Sequence, residues 1–188
     1  MKRVFVTVGT QLAFDRLIEA MDAWAATAEG VEVFAQIGPS DYQPRHMAFK
    51  GFVTPGHCHS AMSAADVIVG HAGMGTILGS LELGKPVLVM PRLEAKGEHR
   101  SDHQVATAKR FDGRPGVTVA WDESALPGAL AAAGERAARA GIEPTADPEL
   151  IDAIGGFIRS VKRSRFLGHR RITTDGRDAG GLRPAGSQ

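Results

Sequence analysis

Ala65–Arg92 reads ADVIVGHAGMGTILGSLELGKPVLVMPR, and this stretch decides the fold. Asp66–Val69 opens an apolar run that leads into the glycine-marked segment Gly70–Thr76. Met74–Leu83 then reads as a helix, closed by Gly84. Pro86–Met90 (PVLVM) is a second short, wholly apolar run of strand type. Strand, glycine turn, helix and strand in this order place the two strands parallel, because the helix returns the chain to the edge from which it started.

The same alternation extends in both directions. Toward the N-terminus, Arg3–Val8 (RVFVTV) reads as a strand stopped by Gly9. Phe14–Ala28 carries Phe14, Leu17, Ile18, Met21 and Ala25 at helical spacing, and Val31–Ile37 is a strand ended by Gly38 and Pro39. Phe52–Thr54 is expected as a further short strand and His57–Ala65 as a short helix. Toward the C-terminus, Asp102–Phe111 reads as a helix, Gly116–Ala120 as a strand, Ser124–Ala140 as an Ala-rich helix and Asp147–Phe166 as an amphipathic helix. The pattern predicts an α/β fold with a doubly wound, Rossmann-like parallel sheet.

At 188 residues and 43% hydrophobic composition the chain has the length for one ordinary domain with a real core. Its 23 glycines show no collagen-like period and are expected in tight loops. The single cysteine, Cys58, cannot form an internal disulfide, which excludes the staple-dependent secreted class. The apolar run before Gly9 is too short for a signal-peptide core, and no stretch reaches the length of a membrane span, so a cytoplasmic setting is expected. The net charge of +1 hides an asymmetry. Residues 159–188 carry eight Lys/Arg and two Asp, which leaves the remainder acidic at −5. The division expected is a domain over 1–166 and a basic, disordered tail over 167–188, either simply solvated or attracted to anionic lipid. Nucleic acid is not favoured, because no aromatic platform accompanies the basic residues.

Three glycine-marked loops follow expected strands: VGTQ (Val8–Gln11), IGPS (Ile37–Ser40) and GHAGMGT (Gly70–Thr76). In an open parallel sheet they should converge at the carboxyl edge of the strands, where ligands bind. The third looks built for phosphate, because Gly73 and Gly75 allow close backbone approach while the next helix aims its amides at the ligand. As a bare pattern, however, glycines in a strand-to-helix turn also serve packing alone.

Taken with GEHRSDHQVATA (Gly97–Ala108) and the opening VFVTVGTQ, the stretch Ala65–Arg92 resembles the C-terminal domain of the family 28 glycosyltransferases over roughly residues 3–160. It is especially similar to the short stand-alone members that serve as soluble subunits of two-part transferases. The resemblance implies the UDP-sugar donor half of a GT-B architecture. It puts Gly9, Thr10 and Gln11 beside the diphosphate and reacting sugar, and Gly73, Met74, Gly75 and Thr76 around the UDP phosphates. Val53 and Thr54, in the stretch to Gly56, fall where uracil is read by backbone groups. Asp102, His103 and Gln104 match the segment whose glutamine hydrogen-bonds sugar hydroxyls. The family usually presents an acidic residue to the ribose six positions beyond the glycine matching Gly73. Here that position is Gly79, with Glu82 three residues further along the helix.

His71 can lend positive charge to a leaving diphosphate or simply pack against the strand end. His99 can touch substrate or sit solvated in its loop. The His57-Cys58-His59 triplet has no second ligand pair at suitable spacing, and no D-x-D pair lies near the loops, so neither a metal nor another cofactor is expected. The length then implies half an active site. The resemblance implies a lipid-linked saccharide acceptor, inversion, and a separate membrane-associated subunit that binds the acceptor. The chain would then be peripheral at the inner face of the membrane. Leu150–Val161 is a candidate docking element or an ordinary packing helix. Two alternatives stand beside this reading. One is a non-catalytic nucleotide-sugar-binding or regulatory subunit. The other is a nicotinamide-dependent oxidoreductase using Gly73 and Gly75 with Glu94 as ribose ligand. The catalytic base and the sugar stay open among GlcNAc, galactose, glucose and glucuronic acid.

Overall fold

The computed structural model describes residues 1–135 and 145–166. Its contacts divide the chain into two units, Met1–Pro144 and Thr145–Gln188. In the first, strands β1 (Arg3–Thr7), β2 (Glu32–Gln36), β3 (Ala48–Lys50), β4 (Val67–His71), β5 (Val87–Met90) and β6 (Val117–Val119) alternate with helices α1 (Asp15–Ala25), α2 (Pro55–Ala64), α3 (Met74–Glu82), α4 (His103–Phe111) and α5 (Leu126–Glu135). Only the β2–β3 connection lacks a helix among the described residues. The strands form one parallel sheet in the order β3-β2-β1-β4-β5-β6. This is the doubly wound, Rossmann-like arrangement that the alternation predicts.

Successive strand residues point to opposite faces, so strands covered on both sides must be apolar throughout. Val4, Val6, Leu88 and Met90 face α1 and α5, where Leu17, Ile18, Met21, Leu126 and Leu130 are buried against them. Phe5, Ile68, Val87 and Val89 face the other way, toward Met62 of α2, Ile77 and Leu81 of α3 and Ala108 of α4. Truncating one fully buried Leu or Ile of this kind to Ala costs about 2–5 kcal/mol.

One expected element is misplaced. The third strand is Ala48–Lys50, and Phe52–Thr54 is not a strand. The ladder with β2 ends where the amide of Gly38 donates to the carbonyl of Gly51 (2.8 Å). Pro55 then starts α2, and Thr54 caps it in extended conformation. The helix-free β2–β3 connection is instead held by Asp22 of α1. Its carboxylate accepts from the Tyr42 hydroxyl (2.8 Å) and the amides of Arg45 (3.0 Å) and His46 (2.7 Å). Burial alone would raise the Asp22 pKa, but the amides of Arg45 and His46, followed by Tyr42, hold it below the usual carboxylate range.

The second unit contains α6 (Pro148–Phe166), on which Leu150, Ile151, Ile154, Phe157 and Ile158 are all exposed. The expected tail over 167–188 and the end of the expected helix beyond Glu135 lie outside the described residues.

Candidate functional site

The strand order reverses between β1 and β4, so the chain leaves these two neighbouring strands toward helices on opposite faces. A crevice opens between the two exits. It holds a cavity of about 460 Å³ walled by Gly9, Thr10 and Gln11 on one side and by Gly73, Met74, Gly75 and Thr76 on the other. His71 lies between them, and His99, His103 and Gln104 enter from the connection after β5. Arg92, just beyond β5, completes the wall.

Three expected site residues lie elsewhere. Val53 and Thr54 precede α2 and are not part of the cavity wall. The Thr54 hydroxyl instead accepts from the amide of His57 (3.3 Å). Asp102 accepts from the amide of Glu94 (2.9 Å), which fixes the turn Glu94–Lys96. The IGPS loop does not converge with the other two glycine loops. It backs the first, since a side chain at Gly38 would meet Val8 Cγ2 at 3.1 Å.

The start of α3 has the geometry of an anion site. Gly73 caps it in extended conformation with no side-chain acceptor. Among the described residues the amides of Met74, Gly75 and Thr76 have no acceptor. These unpaired donors and the positive end of the helix dipole open into the cavity. A side chain at Gly75 would stand in open space, so the backbone there is bare. Gly73, which also lines the cavity, has a further task that the sequence did not show. A side chain there would come within 2.3 Å of His71 Nε2, so its absence makes room for the imidazole. Gly9, in left-handed conformation at φ 77°, closes on the same ring.

His71 is therefore held between the two loops. Burial first, and the Arg92 charge second, push its pKa down to about 4, with a backbone group of Thr7 offsetting them only in part. The imidazole is neutral at pH 7, so it does not carry a resting positive charge. Its buried Nδ1 makes no hydrogen bond of acceptable geometry. Gln104 is also buried, and its Oε1 accepts from the amide of Arg92 (3.2 Å), which leaves Nε2 as the donor toward the cavity. His99 and His103 meet edge to face with centroids 4.3 Å apart. Partial burial, then His103, lowers the His99 pKa. Among the described residues no carboxylate belongs to the cavity wall, a chemistry suited to an anionic ligand.

Sequence reasoning missed Arg92. Its signal was a charged residue directly after the apolar run VLVMP, at the edge where loops converge. The His57-Cys58-His59 triplet lies on α2, where His57 stacks on Phe34 at 5.5 Å. Among the described residues no group of three His, Cys, Asp or Glu is placed to hold a metal ion.

Residues 3–133 match the glycosyltransferase family 28 C-terminal domain. The chain belongs to this family. It is 31% identical over 122 residues to the human UDP-N-acetylglucosamine transferase subunit ALG13, a match covering 59% of this chain and 10% of that protein. The mouse protein of the same name is 30% identical over 110 residues, 53% of this chain and 9% of that one. The chain thus spans about a tenth of the length of the curated relatives it matches. Among solved structures, a solution structure of ALG13 superposes with a TM-score of 0.52 and 17% identity, covering 81% of this chain and 94% of that one. The glycotransferase of kitacinnamycin gives 0.56 at 20% identity over 88% of this chain and 42% of that one. The fold is accordingly the Rossmann-like half of a GT-B architecture. The fingerprint that the nicotinamide alternative requires normally follows the first strand of its fold, whereas Gly73 and Gly75 follow β4.

Gly79 stands where the resemblance led to the expectation of an acidic residue. It lies on α3, where an added Cβ would meet Met62 Cε at 3.5 Å, an ordinary contact. Glu82 is exposed and outside the cavity wall.

Proposed function

We propose that this chain binds a UDP-sugar in the β1/β4 crevice and acts as the donor-binding part of a glycosyltransferase. One observation carries the reading: among the described residues, three unpaired amides at the start of α3 open into a cavity whose wall holds no carboxylate. The diphosphate sits on those amides, and the sugar lies toward Thr10, Gln11 and Gln104. Val53 and Thr54 read uracil through backbone groups at the approach to α2, and His103 faces the sugar with Gln104. Asp102 supports this wall through the turn it fixes. An acceptor hydroxyl oxygen attacks the anomeric carbon as its bond to the β-phosphate oxygen breaks, UDP departs, and the configuration inverts. The α3 amides and dipole stabilise the charge that develops on the leaving diphosphate. The neutral His71 donates a hydrogen bond to it without a formal charge.

The acceptor is a lipid-linked saccharide presented by a separate membrane-associated subunit, which also supplies the base. Among the described residues no helix is long and apolar enough to cross a membrane. The exposed row on α6 supports docking to such a subunit. Gly79 supports a second reading, a subunit that binds nucleotide-sugar without catalysis. Transfer of radiolabelled sugar from UDP-sugars into the lipid fraction of membranes holding the partner separates the two. Transfer that needs both components supports the enzyme. Tight UDP binding without transfer, improved by Gly79→Glu, supports the second reading.

A further inference from the structure

We propose that Arg92 is a positioning residue that sets the β1–α1 loop against the opposite cavity wall; its link to ligand binding rests on the donor-site reading above. Arg92 is 2% exposed. Its Nη1 donates to the carbonyls of Ala13 (2.5 Å) and Glu98 (3.3 Å), and its Nη2 to those of Val8 (2.8 Å) and Leu12 (2.7 Å). The guanidinium lies over the Phe14 ring at 4.8 Å, and the same ring carries Arg16 at 5.2 Å. Three of the four acceptors belong to the loop that follows β1, and Val8 and Leu12 bracket the cavity residues Gly9–Gln11. The Arg92 amide meanwhile holds Gln104. One residue therefore ties two walls that are remote in sequence.

Both Nη atoms are committed to carbonyls, so Arg92 acts through the loop and not by direct contact. Nor, among the described residues, is it half of an ion pair. The Glu98 carboxylate is taken by Arg16 (2.6 and 2.8 Å) and by the amide of Leu93 (2.8 Å). The Arg92 charge is met by oriented carbonyl dipoles, and only a rigid planar fork reaches all four at once. A lysine keeps the charge but gathers its donors at a single point.

The test compares backbone ¹⁵N relaxation and UDP titration for the wild-type chain, Arg92→Lys and Asp22→Asn. The last loses a buried carboxylate away from the cavity and serves as the stability control. In Arg92→Lys the order parameters of Thr10–Leu12 should fall from the rigid range of about 0.85 to below about 0.6, with Met74–Thr76 unchanged. UDP affinity should fall about tenfold, and Asp22→Asn should show neither effect. If Arg92→Lys does not fold, Phe14→Leu removes the ring beneath the guanidinium, keeps all four donors, and should show the same loosening in weaker form. A lysine that preserves loop rigidity and affinity overturns the proposal, because charge alone would then suffice. So does loosening spread over the whole sheet in step with lost stability, or loop loosening with unchanged affinity. A wild-type chain that binds no UDP overturns the donor-site reading instead, while the relaxation data still decide the clamp.

Discussion

Helices α2 and α3 both follow parallel strands, β3 and β4, yet their first turns are completed in opposite ways. At α2, Pro55 has no amide to satisfy, and the Thr54 hydroxyl accepts from His57. At α3, Gly73 offers no side chain, and the amides of Met74, Gly75 and Thr76 are left open toward the cavity. At α2 the sequence itself omits one amide and caps another; at α3 three successive amides are left open. A chain selected for stability alone would place Ser, Thr, Asp or Asn where Gly73 stands, a gain of roughly a few tenths of a kcal/mol over Gly. Here that residue would displace His71.

The strongest way to sharpen the contrast is through His71, which has no counterpart at α2. Its folded pKa of about 4 lies below the ordinary value of 6.5. The unfolded chain therefore takes up this proton as pH falls through 6.5, whereas the folded chain resists until about 4. Stability from this group is complete above pH 6.5 and lost progressively down to about 4, by up to about 3 kcal/mol. Denaturant melts across this window should show the loss in the wild-type chain, and His71→Asn should remove most of it. Gly73→Ala comes next. The new methyl collides with His71 Nε2, which should cost about 1–3 kcal/mol of stability and lower UDP affinity with it. Gly75→Ala meets open space. It should leave thermal stability unchanged or slightly raised, because alanine favours helix, while calorimetry records about a tenfold loss of UDP affinity. Smallest is Thr54→Ala, which should cost about 1 kcal/mol in denaturant melts and, because the uracil contact proposed for residue 54 is made by backbone groups that alanine keeps, leave UDP affinity unchanged. A Thr54→Ala chain that lost UDP binding, or a Gly75→Ala chain that kept it, would erase the distinction between the two helix starts.

Much of this was legible in the sequence. The strands read as continuous apolar runs because both faces of the sheet are covered. The glycine loops Val8–Gln11 and Gly70–Thr76 fall on the two sides of the reversal in strand order. What escaped depended on distance. The third strand was displaced because AFK and FVT are equally strand-like, and the choice lay with the pairing of Ile37 and Gly38 to Lys50 and Gly51. The reach of Arg92 across about 80 residues to Val8, Leu12 and Ala13 leaves no local periodicity. The glycine at 73 was legible as a turn residue, but its reason, a ring two residues earlier folded back over it, exists only in three dimensions. His71 likewise gives no hint in sequence that burial holds it neutral.

An amide-resolved NMR titration of the chain with UDP most directly decides whether the open start of α3 is a diphosphate site. A diphosphate site there should give saturable binding with the largest shifts at Met74, Gly75 and Thr76, accompanied by Gly9–Gln11. Absence of saturation at millimolar UDP, or shifts that bypass Met74–Thr76, would contradict it.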